Sequence, residues 1–153
     1  MPDSKAAVFA ASFAALYAGH EFADHWVQSA HQAGTKGDRT AAGRRACAAH
    51  VATLTATKCL TLLATGRITG QRPRTGRTLA ALAFDAATHY WIDRRYTLRR
   101  LAQRIDPING KAGFYDLGDD TAAPCGTGRY ALDQAAHVAM LWTAALIIAG
   151  GGS

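Results

Sequence analysis

The sequence predicts an all-α protein, a four-helix bundle forming one helical domain over residues 1–153, with a long loop before the last helix. Three observations predict it. No alternation of period two persists anywhere, so strands are not expected. Four Ala-rich segments of helical character are separated by stretches rich in Gly, Pro and Asp. At 153 residues with no shift in composition, the chain is long enough for one domain with a buried core.

The first helix is expected from Ser4, a suitable N-cap, to Gln32, with Gly34 just past its end. A turn-rich stretch, GTKGDRTAAGRR, leads to the second, from about Gly43 to Thr65, which Gly66 should stop. The basic loop ITGQRPRTGR precedes the third, Thr75 to Arg104, ended by Asp106-Pro107 and Asn109-Gly110. An irregular span, NGKAGFYDLGDDTAAPCGTGR, comes before the fourth, Tyr130 to Ile148.

Ionisable residues recur on these helices at one spacing. Helix one carries His20 and Asp24, helix three His89 and Asp93, helix four Asp133 and His137, each pair four residues apart; helix two offers His50. A spacing of four puts both side chains on one helix face. Any one such pair taken alone reads as a surface ion pair. Here the pairs lie among apolar neighbours, as in FDAATHYWID and LDQAAHVAML, so they should face inward, where carboxylates and imidazoles need a partner. A divalent cation suits both. Four His and three Asp without Cys favour zinc, manganese or iron over calcium. Seven ligands exceed one tetrahedral ion, so the expectation is two divalent transition-metal ions around His20, Asp24, His50, His89, Asp93, Asp133 and His137, with Asp24, His50 and Asp93 catalytic. Buried His–Asp pairs without metal are the alternative. His25, Gln28, His31 and Asp85 are supporting or substrate-side candidates, Asp85 also as a ligand, and Glu21, one step off the face of His20, should be solvated.

Lys plus Arg exceed Asp plus Glu by 17 to 11, a net charge of +6 that favours anionic partners: a phosphorylated small molecule or nucleotide, nucleic acid, or a membrane face. Arg94 and Arg95 follow Asp93 directly, and Lys111 lies in NGKAGFY; with Gln28 and Gln134 they are the expected substrate-binding residues, because Arg forks match phosphate geometry. A solvated helix end at the macrodipole explains RRYTLRR equally. GKAG lacks P-loop spacing. Cys47, Cys59 and Cys125 read as free thiols of a reducing cytoplasm, and no secretory leader is read. The uncharged runs of helices one and four are about fourteen residues long against the roughly 20 a spanning helix needs, and Lys58 would be costly at mid-bilayer. That favours a cytoplasmic, soluble or membrane-associated bundle over an integral one.

Taken in order, FADHWVQ, a lone His in helix two, THYWIDRR, GKAGFYDLG and YALDQAAH resemble the small bacterial and phage proteins grouped as domain-of-unknown-function family 3307, in an actinobacterial form. The resemblance covers nearly the whole chain. It implies four helices, often described as membrane-embedded, and no known reaction; members in mobile elements are sometimes labelled transcriptional regulators. Asp24, Gln28, His50, His89, Asp93, Asp133, Gln134 and His137 match its pattern, and the chain is poorer in Leu and Ile than the membrane members. The expectation is a metal-dependent hydrolase of a phosphate ester or anhydride. A nucleic-acid-binding regulator using the two basic loops, and a membrane or scaffold protein with structural His–Asp pairs, are its rivals.

Overall fold

The computed structural model describes residues 4–118 and 125–150, and part of the long loop expected before the last helix lies outside them. The described residues form seven helices and no strand. Helix α1, Lys5–Phe22, is opened by the Ser4 hydroxyl, which accepts from the Ala7 amide at 3.1 Å. Its end widens into a π-turn over Ala23–Val27, and Gln28 is extended. Ser29 then starts α2, Ala30–Thr35, through a capping box in which its hydroxyl accepts from the Gln32 amide and the Gln32 side chain accepts from the Ser29 amide. The one helix expected over 4–32 is therefore two.

Helix α3, Ala41–Thr69, starts at Thr40, whose hydroxyl accepts from the Gly43 amide, and runs through Gly66 to a left-handed Gly70. The expected third helix also divides. α4, Thr75–Asp93, ends at Arg94, and the chain turns through Arg95 at φ 53° into α5, Tyr96–Asn109. Pro107 is carried inside α5, and the stop is the left-handed Gly110. Lys111–Tyr115, expected to be irregular, forms α6. Helix α7, Gly128–Ala149, is capped by Thr127.

The four long helices close a ring in which α1 and α4 each pack on α3 and α7, running alternately up and down. Helices α2, α5 and α6 gather at one end, where α2 packs on α3, α5 on α4 and α6, and α6 on α7. Close approach of α1 to α3 depends on Gly19: a Cβ there would lie 2.7 Å from Thr61 Oγ1 and 3.1 Å from the Lys58 backbone. The two basic loops flank the 29-residue α3, about 40 Å apart at 1.5 Å per residue, so they do not form one continuous basic face.

The interior is layered. Val8, Leu16, Ala81, Leu82, Leu141, Ala144, Ala145 and Ile148 fill the half of the bundle remote from the short helices, and Ile92, Leu98, Ala102 and Tyr115 form a smaller apolar cluster at the other end. Between these lie buried His20, His50, Lys58, Asp85, His89, Asp93 and His137. The outside is the reverse: Leu60, Leu63, Ile68, Leu79, Trp142 and Leu146 are all exposed. Three segments, Lys5–Val27, Ala41–Thr69 and Gly128–Ala149, are long and apolar enough to cross a membrane, and only 39, 33 and 28 % of their apolar windows is buried inside. Lys58, counted against insertion from the sequence, is fully buried with its ammonium 2.7 Å from Asp85 Oδ2, so its charge never meets the surroundings.

Breaking this pair by Lys58→Met should strand Asp85 in the interior and destabilise the fold by about 3–5 kcal/mol, whereas Lys58→Met with Asp85→Leu should recover most of the loss. Thermal melting of both variants checks this; equal melting points for single and double variants would contradict the pairing.

Candidate metal centre

The alternating direction of the four long helices brings the C-terminal ends of α1 and α4 beside the N-terminal halves of α3 and α7. His20 and Asp24, His89 and Asp93, His50, and His137 thereby meet inside the bundle. At the centre stands His50 Nε2. It lies 2.9 Å from Asp24 Oδ1, 3.3 Å from Asp93 Oδ2 and 3.2 Å from His89 Nε2. His89 Nε2 is in turn 3.2 Å from Asp93 Oδ2 and 3.8 Å from Asp24 Oδ1. Four ligand atoms from two helices, α3 and α4, and the π-turn therefore surround one point. Donors held tetrahedrally at 2.0–2.1 Å from a metal are about 3.3–3.4 Å from each other, which is the middle of this range.

Hydrogen bonding does not account for the cluster. An imidazole nitrogen offers one in-plane proton or one lone pair, so His50 Nε2 cannot engage all its neighbours at once. Asp24 Oδ1, Asp93 Oδ2, both nitrogens of His20, and His137 Nε2 are buried with no hydrogen bond. Buried polar atoms are almost always satisfied, and a divalent cation is one partner that could satisfy these. The outer carboxylate oxygens extend the arrangement. Asp24 Oδ2 is 3.6 Å from His20 Nε2, and Asp93 Oδ1 is 4.0 Å from His137 Nε2. The His20 and His137 ring centroids are 5.1 Å apart. Two overlapping sets, His20–Asp24–His89 and His50–His89–Asp93, each bring three ligand atoms within 4.8 Å of one another.

The π-turn matters to this geometry. It inserts an extra residue between the His20 turn and Gln28, so Asp24 reaches His50 while Gln28 Nε2 sits 3.0 Å from the His50 ring nitrogens. Asp133 is placed differently from the other six expected ligands. Its Oδ2 lies 3.4 Å from His137 Nδ1, close but without a formed hydrogen bond, and its partly exposed side chain flanks the imidazole on the side away from Asp93.

A cleft of about 240 Å³ leads from the surface to Asp24 and Asp93, bordered by Gln28, Lys36, Arg95, Tyr115, Arg129, Tyr130, Asp133 and Gln134. Lys36 Nζ is 2.8 Å from Asp93 Oδ1 and largely buried. Burial pushes the Tyr115 phenol above its usual range, so it remains a proton donor at the cleft wall. Of the expected substrate-side residues, Gln28, Arg95 and Gln134 border the cleft, with Arg95 also donating to Ala33 O at 2.8 Å. Arg94 does not. It is buried and donates to the carbonyls of Lys36 and Asp38, holding the α2–α3 turn against α4. Lys111 lies over the Phe114 ring outside the cleft. His25 borders the cleft and pairs with half-buried Glu21, His31 is exposed on α2, and Asp85 is taken by Lys58.

Sequence reasoning missed Lys36, Tyr115, Arg129 and Tyr130, and used Lys58 only as a charge. Lys36 had no periodic context, since it sits in a turn that Arg94 positions from another helix.

No family model matches the chain, and neither a curated protein nor a solved structure is similar to it. The resemblance to family 3307 therefore rests on its motifs alone.

The geometry predicts different outcomes for two ligand-side variants. Asp133→Asn should weaken divalent-metal affinity by about 10- to 100-fold, because it loosens His137 without removing a donor. His50→Ala should abolish tight binding. Titration with zinc or manganese followed by calorimetry separates them; identical affinities in both variants and wild type would show that these residues hold no metal.

Proposed function

We propose that this protein is a membrane-embedded metal-dependent hydrolase acting on a phosphate ester or anhydride. The observation that carries the reading is the set of orphaned ligand atoms of Asp24, His20, Asp93 and His137 around His50 and His89, at the floor of a cleft whose wall carries Lys36 and Arg95. Embedding is supported by the three long apolar helices, by their outward-facing apolar residues, and by the inward turn of every charged group near mid-bundle. Sequence counting set Lys58 and the short uncharged runs of helices one and four against insertion. With Lys58 inside, the outward face of α3 between Arg45 and Arg67 is free of charge for about 30 Å.

Bound divalent ions would supply a nucleophilic hydroxide and neutralise charge developing on phosphate oxygens. Asp24 has one oxygen toward His50 and His89 and the other toward His20, and would be a ligand on either side, whereas the outer oxygen of Asp93 accepts from Lys36. Lys36 and Arg95 present cations to a phosphate entering the cleft, and Tyr115 offers a neutral donor. Gln28, 3.0 Å from His50 Nδ1, and Asp133, 3.4 Å from His137 Nδ1, flank the two imidazoles.

Metal-loaded protein in detergent should turn over at least one of a panel of aryl phosphates, phosphodiesters and pyrophosphates. Asp24→Asn should reduce kcat by about 10³-fold or more, and Lys36→Ala should chiefly raise KM. The same background rate for wild type and Asp24→Asn across the panel would overturn the hydrolase reading.

A further inference from the structure

Helix α5 is the most amphipathic of the five longer helices and belongs to no part of the ring. Its inner face buries Leu98 and Ala102 against the cluster formed with Tyr115 and the α7 residues Leu132, Ala136 and Met140. Its outer flank is of two kinds. Leu101 and exposed Ile108, seven apart, make an apolar strip, and exposed Arg100 and Arg104, four apart, make a basic strip beside it. Among the described residues, the nearby acidic groups are engaged elsewhere: Asp106 accepts from the Ala112 amide, and Asp116 pairs with Arg99. An apolar strip edged by arginines fits a helix lying in the headgroup plane, with its leucine and isoleucine dipping toward acyl chains and the guanidinium groups on lipid phosphates.

The charge of the whole chain is distributed to match. Of the 17 Lys and Arg, four fall at 36–45 and seven at 94–129, the end that carries α5 and the cleft; the opposite end has Lys5 and four at 67–77. Such an excess in short connections marks the cytoplasmic side of a membrane bundle. Trp26, Trp91 and Phe22, all exposed, lie toward this same end, where aromatic side chains favour the interface.

We infer that α5 is an interfacial helix that binds the anionic phospholipid headgroups of the cytoplasmic leaflet, and so sets the cleft opening on the cytoplasmic face. The inference rests on the membrane-embedded reading above. Each arginine near an anionic leaflet is worth about fivefold in binding, so Arg100 and Arg104 together are worth roughly 30-fold.

The test uses the full chain in nanodiscs of phosphatidylcholine alone or mixed with phosphatidylglycerol. Amide hydrogen exchange along α5 should slow by about 10- to 30-fold in the anionic discs, and Arg100→Glu with Arg104→Glu, both surface changes, should remove the difference. In a Cys59→Ala background, exposed Cys125 at the cleft end should react with a membrane-impermeant maleimide in inverted vesicles and not in intact cells. Protein that inserts but exchanges equally in both discs, or whose Cys125 is labelled from outside, overturns this inference and leaves the embedded reading standing. Protein recovered in the supernatant without detergent, and refusing nanodiscs, overturns both.

Discussion

Six imidazole and carboxylate side chains converge where four helices meet, and the rest of the architecture is arranged around the demand this creates. Burying carboxylates is costly unless they are paired, and hydrogen bonds among these residues leave ligand atoms of Asp24, Asp93, His20 and His137 without partners. A scaffold built only to lock helices together would pair each His with one Asp. Instead His50 Nε2 faces two carboxylates and a second imidazole within 3.3 Å.

That demand explains features remote from the centre. The π-turn after Phe22 keeps Asp24 and Gln28 directed at His50. Arg94 gives up its guanidinium to backbone carbonyls of the α2–α3 turn, which delivers Lys36 to Asp93. Lys58 and Asp85 form a second buried pair one layer away, between the polar centre and the larger apolar cluster. With its charges gathered inside, the bundle presents Leu60, Leu63, Leu79, Trp142 and Leu146 outward. In water these would be a liability; in a bilayer they are the matching surface.

Much of this was legible from residue spacing. The i, i+4 pairs on α1, α4 and α7 and the lone His50 named six residues that the structure brings together, because helix periodicity alone decides which side chains share a face. The restart at Ser29 was also readable, since Ser29 and Gln32 have capping-box spacing. Other features were not. The break at Arg94–Arg95 depends on carbonyls more than fifty residues earlier in the chain, so no local pattern announces it. Lys58 was read as an obstacle to insertion because its partner Asp85 is on another helix. Arg94 looked like a phosphate ligand from its type and position, and packing commits it to the backbone.

The measurement that bears most directly on the account is elemental analysis of protein purified without a polyhistidine tag, paired with melting before and after chelation. Six inward ligand side chains exceed the need of one tetrahedral ion, which predicts close to two transition-metal ions per chain. Their removal should lower Tm by several degrees or more, and zinc or manganese should restore it. A stable protein that carries no metal, and whose Tm does not rise when either ion is added, would contradict the central claim.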